Sequence, residues 1–266
     1  MRIKSLHYYP IKSCAGIELT SANLSNRGIE NDRIFMVVDN NNNFISQREN
    51  HKLALIQAKV FQNNLSLEAP GMPPFSIVFS DIGNNEQVMV WRDQCQAIDQ
   101  GRKATDWFSE YLGSPCKLVM MEKLFQRKLD PGYAFAENNQ TGFADGYPFL
   151  LISQESLNDL NSRLKISIPM NRFRPNIVVE GCRPYEEDSW QKIKIGDIVL
   201  EVVKPCVRCA ITTIDQSSLA TSKEPLATLA TYRISPLGGV IFGQNLIHHN
   251  NGRLNVGDKV DIMEKK

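Results

Sequence analysis

Lys192-Ile193-Lys194-Ile195-Gly196-Asp197-Ile198-Val199-Leu200-Glu201-Val202 reads as two strands joined by a tight turn. The first arm alternates polar and apolar residues, and Gly196-Asp197 supplies the positive φ that a two-residue hairpin needs. The chain then runs through Val203-Lys204-Pro205 into Cys206-Val207-Arg208-Cys209-Ala210-Ile211-Thr212-Thr213-Ile214-Asp215. The hairpin thus delivers a Cys-x-x-Cys pair to a strand exit, a position suited to a site. Residues 211–214 read as a further strand. The pair, with Arg208 beside Cys209, is either a soft-metal ligand or nucleophile, or two core cysteines at a strand start.

Outward from this hairpin the pattern stays mostly β. Arg2–Tyr8 largely alternates, and residues 19–24, 35–38, 65–67, 75–79 and 88–91 are short runs separated by Gly, Asn, Asp and Pro. Many short strands with turn signals suggest a barrel or sandwich-like sheet. Gly257-Asp258 marks a second hairpin, and residues 40–43 an exposed hairpin loop. Three helices interrupt the strands. Thr105 caps one that carries Trp107, Phe108, Tyr111 and Leu112 and stops at Gly113. Ser153 caps a second, with Glu155 in its first turn and Leu157, Leu160 and Leu164 on one face. Ser222 caps a third, with Pro225 in the first turn and Leu226, Leu229 and Tyr232 facing the core. The expected class is α+β, mostly β, with a division of the chain near 115–125.

The 266 residues carry a formal net charge of +1 and no long single-sign run. That argues against a nucleic-acid polymer or a membrane surface as partner, while leaving room for a local basic pocket. No run reaches the length of a membrane span, and the start lacks the apolar core of a signal peptide. The six cysteines are then expected as reduced thiols in the cytoplasm. A zinc site would have to combine Cys206 and Cys209 with the distant His248 and His249. Adjacent histidines point to opposite faces of a strand, which disfavours it.

Four constellations near strand ends could carry chemistry. Lys12-Ser13, in Tyr9-Pro10-Ile11-Lys12-Ser13-Cys14-Ala15-Gly16, pairs a cation with a hydroxyl, as an anionic oxygen requires. Arg33, after Asn31-Asp32, can clamp a phosphate or form a surface ion pair. Asn171-Arg172-Phe173-Arg174-Pro175-Asn176 is a dense donor cluster suited to a phosphate and a heterocycle edge. Phe242-Gly243-Gln244-Asn245 adds amides beside a glycine that permits close approach. Together they describe a donor-rich pocket for a phosphorylated, nitrogen-rich ligand with a thiolate at one wall. No dinucleotide fingerprint or P-loop is present.

The chain resembles the MOSC family (molybdenum-cofactor sulfurase C-terminal domain), in the branch with an N-terminal MOSC-associated β-barrel domain that includes the amidoxime-reducing components. The carriers are Tyr9-Pro10-Ile11-Lys12-Ser13-Cys14, Asp32-Arg33, Asn161-Ser162-Arg163, Phe173-Arg174-Pro175-Asn176, Glu187-Asp188-Ser189-Trp190, Cys206-x-x-Cys209, Lys223-Glu224-Pro225-Leu226 and Phe242-Gly243-Gln244. The resemblance implies a β-barrel-like MOSC domain (121–266) packed against an N-terminal β-rich domain (1–120). It also implies a pterin-bound molybdenum cofactor, with Cys209 as protein ligand to the metal. Lys12, Ser13, Arg33, Arg174 and Asn176 match cofactor-binding positions, and Arg208 adjoins the ligand. Asp145, Gly146 and Tyr147 match a further contacting loop, although Gly146 and Tyr147 replace hydroxyl residues of the mammalian branch. Asn245 falls where that branch has tyrosine.

The implied activity is removal of oxygen from small N-hydroxylated compounds. Because no cysteine follows Cys209, no built-in iron–sulfur cluster is expected, and electrons would come from a separate flavin or iron–sulfur protein. The alternatives are a sulfur carrier with a persulfide on Cys209, or a protein that only binds the cofactor.

Overall fold

The computed structural model describes residues 1–136, 139–236 and 238–266. In the first half the strands are β1 (Arg2–Tyr8), β2 (Ile17–Leu19), β3 (Ser21–Ser25), β4 (Gly28–Ile29), β5 (Phe35–Val38), β6 (Gln57–Phe61), β7 (Asn64–Glu68), β8 (Phe75–Val78), β9 (Asn85–Val90), β10 (Asp93–Asp99) and β11 (Lys117–Met121). Beyond them come β12 (Phe149–Ser153), β13 (Ile177–Glu180), β14 (Trp190–Ile195), β15 (Ile198–Val207), β16 (Ile241–His248), β17 (Arg253–Asn255) and β18 (Val260–Lys265). The α-helices are α1 (Arg102–Leu112), α2 (Gln154–Arg163) and the single turn α3 (Leu226–Leu229). The fold is α+β and mostly β, as expected. No helix among the described residues is long and apolar enough to cross a membrane.

The largest sheet runs β18-β14-β15-β16-β12-β13-β1-β2. Near one edge of it β14 and β15 form the expected hairpin: Ile195 pairs with Ile198 across Gly196-Asp197, and Ile193 with Leu200. Their alternate side chains, with Trp190, Ile177 and Leu246, enter one apolar core. Within this sheet β12 and β13 pair in parallel, and α2 makes the crossover between them. Leu157 and Leu160 of α2 bury against Phe173 and Phe242.

The N-terminal half gives this sheet β1 and β2, then builds sheets of its own, β5-β11-β10-β9 and β6-β7-β8. Trp107, Phe108 and Tyr111 of α1 close a second core with Leu53, Leu65 and Leu118. The antiparallel pairing of β1 with β13, Leu6 opposite Ile177, is the seam that positions the site. The loop leaving β1 lies there beside the loop entering β13.

Ser153 caps α2 as expected, its Oγ accepting the Ser156 N–H at 3.1 Å. Elsewhere local detail departs from the sequence reading. Thr105 lies inside α1, its N–H donating to the Gly101 carbonyl at 3.1 Å; the cap is Gly101, which has no side-chain oxygen to announce it. Ser222 closes a local turn by accepting the Glu224 N–H, and Pro225 precedes the helical turn as its N-cap. Gly257-Asp258 joins strands of different sheets, since β17 pairs with β3 and β18 with β14. The cause is capture by β1: Ile3 exchanges backbone hydrogen bonds with Gly257 and Asp258. The 19–24 run divides between β2 and β3, and Trp91 turns out of β9 with φ 58°.

Gly243 serves packing rather than ligand approach. At φ +80°, an added Cβ would lie 2.6 Å from Ile152 Cγ1 and 2.8 Å from the Leu151 carbonyl oxygen. Only glycine lets β16 lie this close to β12. Gly243→Ala is expected to cost about 1–3 kcal/mol, the scale of overpacking a core. Urea unfolding checks this, and an unchanged midpoint would contradict it.

Candidate functional site

One cleft opens along the β1–β13 seam. Its floor comes from Lys12 and Ser13 after β1, Arg33 before β5, and Arg174 and Asn176 before β13. One wall is the Asp145-Gly146-Tyr147 loop before β12. The opposite side is Cys206, Arg208 and Cys209 at the end of β15, with Asn245 of β16. Every cofactor-binding and metal-ligating position that the family resemblance implies therefore lines the same cleft, drawn from both halves of the chain.

Three cleft residues also have unusual backbone geometry. Ser13, Arg33 and Arg174 sit at φ 68°, 48° and 56°. Non-glycine residues in this left-handed region cost about 1–2 kcal/mol each. Such strain persists where surrounding structure over-determines it, typically at functional sites.

Tyr9 ties the floor together. The Arg33 and Arg174 guanidinium carbons lie 4.8 and 4.3 Å from its ring centroid. Its hydroxyl donates to the Pro175 carbonyl at 3.0 Å, and its N–H donates to Asp32 Oδ1 at 2.8 Å. Burial pushes the phenol up to about 12, against the pull of Arg174 and Arg33.

The cations are held individually. Arg33 pairs with buried Asp32 and donates to Asn176 Oδ1 at 3.1 Å. Arg174 Nη1 donates to the Cys14 carbonyl at 2.6 Å. Lys12 Nζ donates to Asp145 Oδ1 at 2.6 Å and to the Phe143 carbonyl at 2.9 Å. Burial lowers the Lys12 ammonium from its ordinary value, while Asp145 pulls it back up. Desolvation opposes ionisation of Asp145, but the Lys12 charge, the hydrogen bonds from Lys12 and Trp91 and the Arg33 charge together outweigh it and hold the carboxyl well below its usual range. Asn176 is fully buried; beyond Arg33 it accepts the Leu150 N–H at 3.2 Å and donates to the His7 carbonyl at 3.2 Å. Its amide positions Arg33. Asn245 donates to the Pro205 carbonyl, and Gly146 leaves open space where a side chain would stand.

The cysteine loop differs from the strand expected over residues 211–214. Ala210–Thr213 is a 3-10 turn, because Thr212 and Thr213 hydroxyls donate back to the Cys209 and Ala210 carbonyls at 3.0 and 2.7 Å. Cys209 is exposed, whereas Cys206 is half-buried and packs against the core that holds Phe173 and Phe242. Arg208 does not reach the thiol of its neighbour. Its Nη1 stands 2.8 Å from Cys206 Sγ and its Nη2 donates to the Phe173 carbonyl at 2.7 Å. The guanidinium near Cys209 is that of Arg48, with Nη1 3.9 Å from Sγ.

Two motif residues act from behind the cleft. Arg172 donates to the Thr212 carbonyl at 2.9 Å and pairs with Asp215 at 3.2 Å, bracing the Cys209 loop. Gln244 donates to Asp188 at 2.6 Å. The histidines of the zinc alternative are engaged elsewhere: His248 contacts the Ser25 carbonyl and His249 pairs with Glu201. His248 opposes Leu200 on β15 while Val207 opposes Ile241. Seven residues of strand, about 23 Å at 3.3 Å each, separate the two ends.

Several cleft residues carry no motif. Phe44, Ser46 and Arg48 come from the loop after β5. Buried Arg127 braces the Asp145 loop through the Gly142 and Ala144 carbonyls and pairs with Asp93 at 2.7 Å. The one sequence signal available was arginine within a loop that follows a core strand.

The chain matches the MOSC N-terminal beta barrel domain over residues 1–115 and the MOSC domain over residues 138–261. It belongs to the MOSC family. Among its relatives, the mitochondrial amidoxime reducing component 2 of Rattus norvegicus is 34% identical over 281 residues, covering 97% of this chain and 82% of that protein. The mitochondrial amidoxime-reducing component 1 of Mus musculus is 34% identical over 278 residues, covering 98% and 82%. The molybdenum cofactor sulfurase of Oryza sativa subsp. japonica is 31% identical over 264 residues, 91% of this chain but 32% of that protein.

The Tyr9 keystone is testable without any ligand. A Cβ on Gly16 would collide with the Tyr9 ring. Gly16→Ala is expected to lose about 1–3 kcal/mol, and Tyr9→Phe about 1 kcal/mol for one hydrogen bond. Thermal unfolding ranks them; Tyr9→Phe costing more than Gly16→Ala would contradict the geometry.

Proposed function

We propose that this chain is a molybdenum-cofactor-dependent reductase of N-hydroxylated compounds that takes its electrons from a separate flavin or iron–sulfur protein. The carrying observation is one cleft that combines individually anchored cations with an exposed cysteine thiol. The donor set fits the group. Lys12, Arg33, Arg174 and Arg208 suit a terminal phosphate, and a thiolate suits a soft metal. The amidoxime-reducing relatives support the substrate class, and the sulfurase relative supports the cofactor.

When bound, the cofactor supplies the two-electron chemistry, and the protein supplies binding, orientation and charge. The net change is an N–OH group plus two electrons and two protons giving N–H and water. Cys209 would hold the metal at the cleft mouth, and Arg172 keeps its loop in place. Arg33 and Arg174, held in place by Tyr9 and Asn176, would bind the cofactor's phosphate, and Asp145 offsets part of the Lys12 charge. The two halves, taken as 1–120 and 121–266, both contribute to the site. An exposed thiol suits a reducing compartment such as the cytoplasm.

Exposure of Cys209 also favours a second reading, a persulfide carrier that passes sulfur to an acceptor. Protein expressed with the cofactor separates the two. It should contain molybdenum and reduce benzamidoxime or hydroxylaminopurine with reduced viologen, but not with NADH alone. Cys209→Ala should lose both metal and turnover, with Cys206→Ala milder. Loaded protein that reduces none of a panel of N-hydroxylated compounds would sink the reductase reading; a persulfide on Cys209 by mass spectrometry would then favour sulfur transfer.

A further inference from the structure

The cations of the cleft fall into two tiers. Lys12, Arg33, Arg174 and Arg208 each donate to an oxygen of the protein. Arg48 is placed differently. Its nearest carboxylate among the described residues is Glu49, 3.8 Å from Nε and beyond hydrogen-bond distance. Glu49 itself accepts the Ser46 N–H and hydroxyl.

Arg48 is nonetheless rigidly presented. Its guanidinium carbon lies 4.7 Å from the Trp91 ring and 5.9 Å from that of Phe44, and these rings stand 5.1 Å apart. Trp91 is pinned in turn by its indole N–H, which donates to Asp145 Oδ1 at 3.2 Å. The neighbouring Gln47 is fully buried. It donates to the Ser13 carbonyl at 2.6 Å and exchanges amide hydrogen bonds with Gln216 at 3.1 and 3.0 Å. That clasp fixes the backbone under Arg48 to the segment following Cys209. The result is a pre-oriented guanidinium fork on an aromatic face, with Nη1 3.9 Å from Cys209 Sγ.

We propose that Arg48 is a substrate-binding residue: it donates hydrogen bonds to the oxygen of the N–O group beside Cys209, while the deeper cations serve the phosphate. This rests on the reductase reading above. The favoured class is N–OH compounds conjugated to a C=N or C=O group, whose electron withdrawal acidifies the hydroxyl, so that the fork's charge-assisted hydrogen bonds favour negative charge on its oxygen. Arg48 is unchanged by the reaction. The N–O bond breaks, the donor protein supplies two electrons, and two protons complete N–H and water.

Two readouts test it. On cofactor-free protein, mass spectrometry compares alkylation of Cys209 by anionic iodoacetate and neutral iodoacetamide; taking the ratio cancels the reactivity of the thiol itself. Arg48→Gln should lower that ratio roughly three- to tenfold at low salt. Arg48→Lys should lower it less, and Arg102→Gln, on an exposed face of α1, not at all. In loaded protein, Arg48→Gln should raise KM for benzamidoxime roughly tenfold at unchanged molybdenum content. An unchanged alkylation ratio overturns the proposal. So does an unchanged KM in loaded Arg48→Gln protein that turns over. A lowered ratio in a wild type that, fully loaded, turns over no N-hydroxylated compound overturns the reductase reading, and with it the substrate assignment, while supporting the anion-binding role of Arg48.

Discussion

The site depends on one aromatic ring with a guanidinium against it twice over. Tyr9 ends the seam strand β1, and Arg33 and Arg174 come from segments 141 residues apart in sequence, both within 5 Å of its centroid. Cation–π contact lets two like charges share a buried neighbourhood that bulk water would otherwise have to screen. The Tyr9 N–H also holds Asp32, which holds Arg33, and its hydroxyl holds Pro175 beside Arg174. Neither half of the chain could assemble this floor alone.

The cleft is electrostatically costly as it stands. Lys12 is pushed down by burial, and three strained non-glycine residues line the same floor. Lys12 and Arg33 have carboxylate partners in Asp145 and Asp32, whereas Arg174 and Arg208 are held by uncharged groups, and burying such charge is unfavourable. An anionic ligand would relieve that cost, and its binding would raise the local stability of the cleft. The same floor leaves Arg48 outside the cluster, on the wall with Trp91 and Phe44, where it faces Cys209.

Much of this could be read in the chain. The β14–β15 hairpin was legible because its alternation and Gly196-Asp197 turn agree, and the Ile195–Ile198 register follows. Ser153 was legible as a cap because its oxygen does the capping. The cleft residues came together through the family motifs rather than through spacing. What stayed hidden was three-dimensional. A glycine cap at Gly101 leaves no side-chain signal, and Thr212 and Thr213 folded back on their own backbone although their residue types favour strand. Arg208 beside Cys209 in sequence suggested a contact that strand geometry redirects to Cys206. Arg48 sits in a plain polar loop, and the long-range bonds of Gln47 to Ser13 and Gln216 help bring it to the thiol.

The central claim is that phosphate and metal are held by separate groups of one cleft. Pterin and molybdenum content per chain, measured side by side in Cys209→Ala and Arg174→Gln proteins, tests it most directly. The account predicts that Cys209→Ala keeps pterin while losing molybdenum, and that Arg174→Gln loses both together. Full retention of both in Arg174→Gln would contradict it.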